Sequence, residues 1–484
     1  MADDRSYKWF VLLITSVGAM MAPLDGSIVG VALPSMTKSL GMSYVSVIWV
    51  PAAYLVTLAV SLLIIGRLSD TRGRKPILIS GFAIFVLGSF LCSIVQNGTE
   101  LIMFRILQGV GCACMAATAT AIVADVFPGK ERGKALGINI MSVYVGGAVG
   151  PSLGGALTYA FGWRSVFWVN IPIGLMVMTL ALWKLKESVP RREKEPFDIP
   201  GMLTFSVGLV SLLVAMTVGE SAGWTSLPII GLLTLAPVSF VLFILSEMRK
   251  GSKAMIDLSL IAHNRLFAAA NIAALLNYTA FFSASFIMSF YLQRVLGRSP
   301  LETGAILISM PITMAVLAPI SGWASDKVGS RMLSTGGMVC ITIGLLLLST
   351  LTLTSSTSAV TIYLLILGAG MGLFSSPNTN AIMGCVEKRQ LGVASGMVAT
   401  MRTTGQALSL AVTGAIIAIV ASSSVVTSLF IGTSPAQIAV DSVPFVHGMS
   451  IAFIVSAMIA AVGAMFSFAR GPTRRSPEAS DNRH

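Results

Sequence analysis

The chain contains few charged residues. Only 11% of its 484 residues are Asp, Glu, Lys or Arg, whereas soluble domains carry about 25%. Hydrophobic residues make up 55% of the sequence, and its mean hydropathy is +0.85. This composition excludes a water-soluble protein and predicts an integral membrane protein. No stretch of the chain has the composition of a separate soluble domain.

The chain also lacks the residue clusters of an enzyme or a metalloprotein. Its three histidines lie near predicted helix ends or in the C-terminal tail, and its five cysteines lie inside apolar runs. Neither set has the spacing of a disulfide framework or a zinc site. No nucleophile–base pair and no cofactor fingerprint is present. We therefore expect no enzymatic activity, no cofactor and no metal.

Long hydrophobic stretches are what the chain has instead. A helix needs about 20 apolar residues to cross a bilayer. The first stretch is too long for the core of a signal peptide. Stretches of this kind predict fourteen transmembrane helices, at 9–33, 45–65, 77–95, 100–125, 134–159, 165–184, 200–219, 226–246, 266–292, 302–323, 332–352, 360–385, 391–421 and 446–469.

The net charge of +12 is distributed unevenly between the predicted loops. If the N-terminus is cytoplasmic, most of the 32 Lys and Arg residues lie on the cytoplasmic side, and only Lys38, Arg164, Arg294 and Arg298 lie outside. Basic residues concentrate on the cytoplasmic side of membrane proteins. The charge therefore indicates membrane orientation rather than nucleic-acid binding, and it predicts that both termini are cytoplasmic.

Two loops about half a chain apart share a pattern. The loop at 66–76 follows predicted helix 2, and the loop at 322–331 follows predicted helix 10, with Gly, Ser, Asp and Gly in matching places. Small residues of helices 4 and 5 recur in the same way in helices 12 and 13. Helices 1–6 therefore correspond to helices 9–14, and helices 7 and 8 are an insertion. Parallel repeats of this kind are typical of transporters.

This repeat predicts the domain organisation. An N-terminal six-helix bundle is expected at 1–186, and a linker with the two inserted helices at 187–264. A C-terminal six-helix bundle is expected at 265–470. The polar segment 471–484 is expected to be a disordered cytoplasmic tail.

Four motifs resemble those of the fourteen-helix drug:proton antiporter branch of the major facilitator superfamily, the EmrB/QacA-like multidrug exporters. Residues 66–76 are similar to the helix 2–3 signature, and 105–109 to the helix-4 motif. Residues 24–34 resemble the helix-1 motif, with Gly30 where Asn is common, and 146–155 resemble the helix-5 antiporter motif. The resemblance implies the all-α major facilitator fold and proton-coupled export.

Asp25 in helix 1 and Arg105 in helix 4 are the candidates for proton coupling. A carboxylate at membrane depth is costly, so it faces a cavity or a partner. Both residues lie at similar depths below the outer surface, and Arg105 could bias the protonation of Asp25. Two alternatives stay open: Asp25 could be a structural hydrogen-bonding residue next to Pro23, and Arg105 could extend to the outer interface.

Polar residues inside other apolar runs are candidates for the substrate cavity. Arg402 lies near the middle of helix 13, where it could bind an anionic group or pair with helix termini. Such residues could equally form hydrogen bonds between helices. The tentative set is Tyr54, Gln108, Tyr144, Asn277, Tyr278, Asn380 and Arg402.

The loop after helix 2 lacks the features of a phosphate-binding loop. Gly73 would permit a tight turn there. By the family resemblance, Asp70, Arg74 and Asp125 form a charge network that stabilises the outward-facing state. The predicted conformational latch comprises Gly66, Asp70, Gly73, Arg74 and Asp125. Alternatively, the basic loop only sets membrane orientation.

Helix 5 carries a run of small residues in its predicted antiporter motif. Gly146, Gly150 and Gly154 recur every four residues, so they lie on one face of the helix. Pro151 removes one backbone hydrogen bond, and Gly155 follows one position after the stripe. We expect this face to pack against a helix of the other half and seal the transport path. Close packing without gating is the alternative.

Together these features predict a secondary active exporter of the multidrug efflux type. It would exchange protons for amphipathic or hydrophobic, possibly monocationic, compounds by alternating access in the cell membrane. Its expected partners are a small-molecule substrate, protons and the lipid bilayer, and we expect a monomer. One alternative is the export of an endogenous metabolite or lipid. A non-transporting membrane sensor is another, disfavoured by the absence of a signalling domain.

Overall fold

A computed structural model of the protein describes residues 2–127, 129–186, 198–250, 264–386, 391–432 and 434–470. Within these residues the structure is helical, and no strand occurs. Fourteen of the described helices are long and apolar enough to cross a membrane. The predicted count of fourteen is therefore confirmed. The predicted tail at 471–484 and two stretches of the predicted linker region, 187–197 and 251–263, lie outside the described residues.

The helices are numbered here by membrane span. Helix 6 is interrupted for one residue at Val169. Helices 1–8 cover Ala2–Leu40, Tyr44–Arg72, Arg74–Ile94, Gly98–Val126, Gly129–Phe161, Ser165–Trp168 with Asn170–Lys184, Ile199–Ala222, and Leu227–Lys250.

The second half has more interruptions. Helix 9 consists of two helical segments and a final π-helical turn, Tyr291–Val295. Helices 9–14 cover Arg265–Phe281 with Ser283–Val295, Pro300–Leu307 with Ser309–Val328, Ser330–Ser349, Thr357–Gly384, Leu391–Ala421, and Pro435–Ala469.

Polar side chains mark several helix starts. The Asn97 side chain accepts a hydrogen bond from the amide of Glu100 at 2.9 Å, at the start of helix 4. Ser299 and Glu302 form a reciprocal capping box at the start of helix 10. Such caps satisfy amide groups that have no partner inside the helix. Within the bilayer the helical backbone satisfies its own polar groups. Apolar runs that are bounded by such caps therefore form transmembrane helices.

One predicted boundary is wrong. Helix 14 begins at Pro435 rather than near residue 446, and a short helix, Ser423–Ile431, precedes it. Residues 422–445 lie between the predicted helices 13 and 14, and Asp441 and Pro444 interrupt the apolar run there. In the structure Pro435 occupies a first-turn position, where its missing N–H costs nothing. The Asp441 carboxylate accepts hydrogen bonds from Gln437, one turn earlier, at 3.0 Å.

The two halves repeat the same helix packing. Helix 1 packs against helix 5, helix 2 against helix 4, helix 3 against helix 4 and helix 3 against helix 6. In the second half the matching contacts join helices 9 and 13, 10 and 12, 11 and 12, and 11 and 14. The repeat in the sequence is therefore also a repeat in structure. Two six-helix bundles plus two inserted helices make up the described membrane region.

The inserted pair touches both halves through helix 7. Helices 7 and 8 pack against each other, and helix 7 also contacts helix 2 and helix 13. The Trp49 indole donates to the Thr217 hydroxyl at 3.0 Å. The Glu220 carboxylate accepts a hydrogen bond from the Ser423 hydroxyl. Helix 8 is more peripheral, with exposed large apolar side chains such as Val238 and Val241.

The two halves are joined at the membrane face opposite the termini. There the Tyr44 hydroxyl donates to the Gly414 carbonyl at 3.0 Å, and the Tyr44 amide donates to the Thr427 hydroxyl at 2.9 Å. The Gln293 amide donates to the Val31 carbonyl at 2.9 Å. Between this closed face and the terminal face the halves enclose a cavity.

Candidate functional site

The cavity lies on the axis between the two halves and has a volume of about 360 Å³. Residues of helices 1, 2, 4 and 5 line it on one side, and residues of helices 9, 10, 12 and 13 line it on the other. These two groups are equivalent in the repeat. The cavity is therefore positioned where movement of one half against the other changes its access.

Apolar and aromatic side chains dominate the cavity wall. Three tyrosines, three phenylalanines and three methionines are among the lining residues. Such a wall suits an amphipathic compound with a flat hydrophobic part, and methionine adapts to ligands of different shape. These side chains are Tyr54, Tyr144, Tyr278, Phe281, Phe282, Phe286, Met310, Met314 and Met371.

Asp25 lies behind this wall in a fully buried ion pair. Its side chain is 0% exposed, and its carboxylate accepts a hydrogen bond from the Arg105 guanidinium. The Asn170 side chain of helix 6 donates to the same carboxylate at 2.8 Å, and Gln108 donates at 3.4 Å. Pro23, two residues earlier, lines the cavity. The carboxylate is thus neutralised and hydrogen-bonded rather than open to the cavity.

Arg105 connects this pair to the cavity wall. Its guanidinium lies over the Tyr54 ring, 4.2 Å from the ring centre, and Tyr54 lines the cavity. It also donates to the Gln108 side chain at 2.9 Å and to the Val50 carbonyl at 3.4 Å. The predicted proximity of Asp25 and Arg105 is found in the structure. The contact is direct and buried.

Two members of this network were not anticipated. Asn170 is fully buried in helix 6, and Ser89 of helix 3 accepts a hydrogen bond from Gln108 at 2.7 Å. Asn170 could have been predicted, because it is a lone Asn inside an otherwise apolar run. Ser89 could not, because serine is common in membrane helices.

Arg402 of helix 13 lines the cavity on the opposite side. It is partly exposed, and no described residue forms a hydrogen bond or an ion pair with it. Tyr144 and Tyr278 also line the cavity, and the Tyr144 hydroxyl lies 2.9 Å from the Ser375 hydroxyl of the other half. Tyr54, Tyr144, Tyr278 and Arg402 therefore lie where a substrate would contact them.

Three other predicted cavity residues point elsewhere. Gln108 is buried in the network around Asp25. The Asn277 amide donates to the Met338 sulfur at 3.0 Å, and Asn380 donates to the Ser325 hydroxyl at 3.1 Å. Successive residues of a helix are rotated by about 100°, so Asn277 faces helix 11 whereas its neighbour faces the cavity. These predictions of cavity lining are wrong.

The glycine stripe of helix 5 packs against helix 1 of the same half. A Cβ atom at Gly150 would lie 1.7 Å from the Ser27 hydroxyl oxygen, and one at Gly154 would lie 2.8 Å from the Ile28 carbonyl oxygen. Gly146 is similarly close to Met20. The expectation that this stripe contacts the other half is therefore wrong.

The cross-half contact of helix 5 comes from residues one position further along. A Cβ atom at Gly155 would lie 2.5 Å from the Pro300 carbonyl oxygen of helix 10. One at Gly304 would lie 2.3 Å from the Pro151 carbonyl oxygen. One residue of rotation on the helix turns Pro151 and Gly155 away from helix 1 and towards helix 10. These two members of the motif lie at the closed face.

The loop after helix 2 is a sharp corner. Gly73 has φ +95° and ψ 148°, and its counterpart Gly329 has φ +92° and ψ 143°. Arg74 forms an ion pair with Asp125 of helix 4 and donates to the Ala121 carbonyl at 2.7 Å. The Asp70 side chain lies outside the described part of the structure. The Arg74–Asp125 pair ties helix 3 to helix 4 inside the first half.

The predicted state dependence of this pair is not supported. The pair is formed while the halves are joined at the face opposite the termini. If the termini are cytoplasmic, this arrangement is inward-facing, whereas the latch was expected in the outward-facing state. The Arg74–Asp125 contact alone therefore does not distinguish the two states.

Comparison with known proteins gives consistent similarities. Residues 15–410 match the family described as Major Facilitator Superfamily. The chain is 36% identical to the riboflavin transporter RibZ of Clostridioides difficile (strain 630) over 404 residues, covering 84% of this chain and 87% of that protein. It is 33% identical to the multidrug transporter protein MdtP of Bacillus subtilis (strain 168) over 422 residues, covering 86% and 77%.

Two further similarities extend over almost the whole chain. The tetracenomycin C resistance and export protein of Streptomyces glaucescens is 29% identical over 513 residues, covering 98% of this chain and 94% of that protein. Among solved structures, a bacterial homologue of the human lysosomal transporter Spinster, in an inward-facing and occupied conformation, has a TM-score of 0.70. At 18% identity, with 97% and 99% of the two chains covered, that likeness shows a shared fold.

Proposed function

The chain belongs to the Major Facilitator Superfamily, and from this premise we propose that it exports amphipathic, largely hydrophobic compounds in exchange for protons. It is a multi-pass membrane transporter and not an enzyme, and several relatives are named multidrug transporters or resistance proteins. We also propose that transport is coupled to protons by antiport and that both termini are cytoplasmic.

The buried Asp25–Arg105 pair beside the cavity is the observation that carries the proposal. Uptake of one proton by Asp25 would remove the negative charge that Arg105 neutralises. An uncompensated buried guanidinium is costly, about 3–5 kcal/mol when one partner of such a pair is lost. The structure around Arg105 would then rearrange, and its neighbour Tyr54 transmits the change to the cavity wall.

The closed face supports alternating access. Two contacts related by the repeat hold it: helix 5 against helix 10 at Gly155, and helix 13 against helix 2 at Gly414. A Cβ atom at Gly414 would lie 2.4 Å from the Ile48 side chain. Because the two contacts are small-residue interfaces, they can separate as rigid surfaces, and the Tyr44–Gly414 hydrogen bond between them would then be replaced by bonds to water. Their opening would expose the cavity on the other side.

The test is substrate-dependent proton transport by the purified protein in liposomes. Ethidium and riboflavin serve as probes, since relatives are named multidrug and riboflavin transporters. We expect an imposed pH gradient to drive movement of at least one probe and Asp25→Asn to abolish this dependence. Asp441→Asn is the matched control, because Asp441 is also a buried acid but bonds Gln437 within helix 14.

The proposal fails if transport in Asp25→Asn remains as dependent on the pH gradient as in the unaltered protein. It also fails if the gradient drives neither probe nor an anionic aromatic dye such as 7-(diethylamino)coumarin-3-carboxylate. Equal losses in Asp25→Asn and Asp441→Asn would indicate general damage to the fold rather than a role in coupling, and would count against Asp25.

Transport of an endogenous metabolite is a second candidate. Arg402 favours it, since an unpaired cation in the cavity is poorly suited to the cationic drugs that many exporters accept. The similarity to a protein named riboflavin transporter is a further reason. Saturable riboflavin counterflow that ethidium does not inhibit would favour this candidate over multidrug export.

A further inference from the structure

Among the described residues, the cavity wall carries one unpaired positive charge, on Arg402, and no negative charge. Among the described residues that line it, none is Asp or Glu. Asp25 is 0% exposed and is already held by Arg105 and Asn170. A cationic compound entering the cavity would therefore find no counter-charge and would be repelled by Arg402.

The Arg402 guanidinium is available to a ligand. Arginine has five N–H donors and stays protonated in proteins, yet no described residue accepts a hydrogen bond from this one. An ionised side chain at membrane depth is expensive unless it is paired or hydrated. Arginine in fact matches a carboxylate with two parallel hydrogen bonds. A carboxylate on a bound ligand would supply the hydrogen-bond acceptor and negative charge that no described residue offers to Arg402.

The surroundings of Arg402 define the rest of the ligand. Tyr278 and Phe282 of helix 9 and Tyr144 of helix 5 line the same cavity. Aromatic side chains pack well against flat ring systems. A flat apolar body with a single negative charge at one end would satisfy both the wall and the guanidinium.

We propose that Arg402 is a specificity-determining residue that binds the single negative charge of an aromatic amphipath in the cavity. This inference rests on the proposed transport function, since it names the class of substrate that the same cavity takes. It differs from the expectation based on the sequence features, which allowed monocationic compounds.

The charge of the substrate determines how transport depends on membrane potential. When a proton enters and a monoanion leaves, two elementary charges move in the same electrical direction. When a proton enters and a monocation leaves, no net charge moves. A potassium diffusion potential that is negative on the cytoplasmic side should therefore accelerate export of an anionic probe and leave export of a matched cationic probe unchanged.

The direct test is equilibrium binding of three dyes that share one coumarin ring system and differ in charge. 7-(Diethylamino)coumarin-3-carboxylate is the anion, its 3-carboxamide is neutral, and the carboxamide bearing a trimethylammonium group is the cation. For the purified full chain we expect the anion to bind about tenfold or more tightly than the carboxamide, as one charge-assisted pair allows. The cation should bind more weakly than both.

Substitutions separate Arg402 from other basic residues. Arg402→Gln should bring the affinity for the anion to that for the carboxamide, without weakening carboxamide binding. Arg402→Lys should keep part of the preference, because it keeps the charge but loses the planar pair of donors. Arg298→Gln is the control, since Arg298 is exposed and lies near Glu302 at the helix 10 start.

The proposal is overturned if the cation binds best, if Arg402→Gln leaves the preference for the anion unchanged, or if none of the three dyes binds. Failure of proton coupling would have a different signature. In that case the anion preference and its loss in Arg402→Gln would persist, while Asp25→Asn would leave the transport rate and its pH dependence unaltered.

Discussion

Gly155 of helix 5 and Gly304 of helix 10 pack directly against each other across the two halves. A Cβ atom at Gly155 would lie 3.2 Å from the Gly304 Cα atom, and one at Gly304 would lie 3.3 Å from the Gly155 Cα atom. No side chain separates the two backbones, which is the geometry of a close small-residue helix contact. The contact closes the cavity at the face opposite the termini.

A larger residue at Gly155 is expected to open this face. Gly155→Val would place methyl groups inside the backbone of helix 10, and overpacking of this kind costs about 1–3 kcal/mol. The equilibrium should therefore shift towards the state open at that face by about 5- to 150-fold. Gly304→Val should act in the same direction, because the contact is reciprocal.

Labelling of a cysteine in the cavity measures this shift. Ser285 lines the cavity on helix 9, so Ser285→Cys can be introduced after the five native cysteines are replaced by Ala. An impermeant maleimide applied from the face opposite the termini should react faster when Gly155→Val is present. Gly231→Val on helix 8 is the control, since nothing lies within 4 Å of its Cβ position. If labelling is as slow in Gly155→Val as in the Gly231→Val control, the contact between Gly155 and Gly304 does not close the path.

Asn170 is expected to support the coupling role that we propose for Asp25. Its amide donates to the Asp25 carboxylate at 2.8 Å and links helix 6 to helix 1. Asn170→Ala removes this donor and leaves the carboxylate with Arg105 and Gln108. A hydrogen bond to a charged group contributes about 1.5–3 kcal/mol, so the rate of proton-driven transport should fall by about tenfold or more.

The measurement is the initial rate of proton-driven transport over a range of pH. Asn271→Ala is the matched control, because Asn271 is also a buried Asn but donates to the Phe267 carbonyl within helix 9. An unchanged rate in Asn170→Ala, or equal losses in the two variants, would show that Asn170 does not act through Asp25.

The fold could be predicted from the sequence because the patterns that define it extend over many residues. Apolar runs of about 20 residues and a repeated loop are visible without any alignment, and the same helix pairs pack in both halves. The Asp25–Arg105 contact was also predictable, since two opposite charges at similar depth in apolar helices need partners. The error at helix 14 arose because Asp441 and Pro444 interrupt the apolar run, although the helix extends back to Pro435.

The direction in which each side chain points was harder to predict from the sequence. Asn277 and Tyr278 are adjacent, yet the first faces Met338 and the second the cavity. Likewise the stripe through Gly150 faces helix 1, whereas Gly155 faces the other half. Composition and spacing define a stripe on a helix, but the rotation of that helix depends on contacts from distant parts of the chain.

The corners after helix 2 and helix 10 are expected to require glycine. Gly73 and Gly329 have positive φ values with extended ψ values, a region that is essentially limited to glycine and costs other residues about 1–3 kcal/mol. Gly73→Ala and Gly329→Ala should therefore each lower stability by about that amount. The effect should be equal in the two repeats, although Arg74 follows the first corner and Ser330 the second. The Cβ position is open at Gly329, so backbone strain, not a steric clash, is the expected cause there.

Thermal unfolding in detergent, followed by a dye that fluoresces on reaction with thiols, suits this chain because Cys92, Cys112 and Cys114 are buried. Gly66→Ala is the control: it lies inside helix 2, and a Cβ atom there meets nothing within 4 Å. Alanine favours a helix interior by about 0.8–1.0 kcal/mol over glycine, so this variant should be as stable as the unaltered protein or more so. If Gly66→Ala and Gly73→Ala destabilise the protein equally, the loss comes from the flexibility of the segment and not from the φ value of the corner.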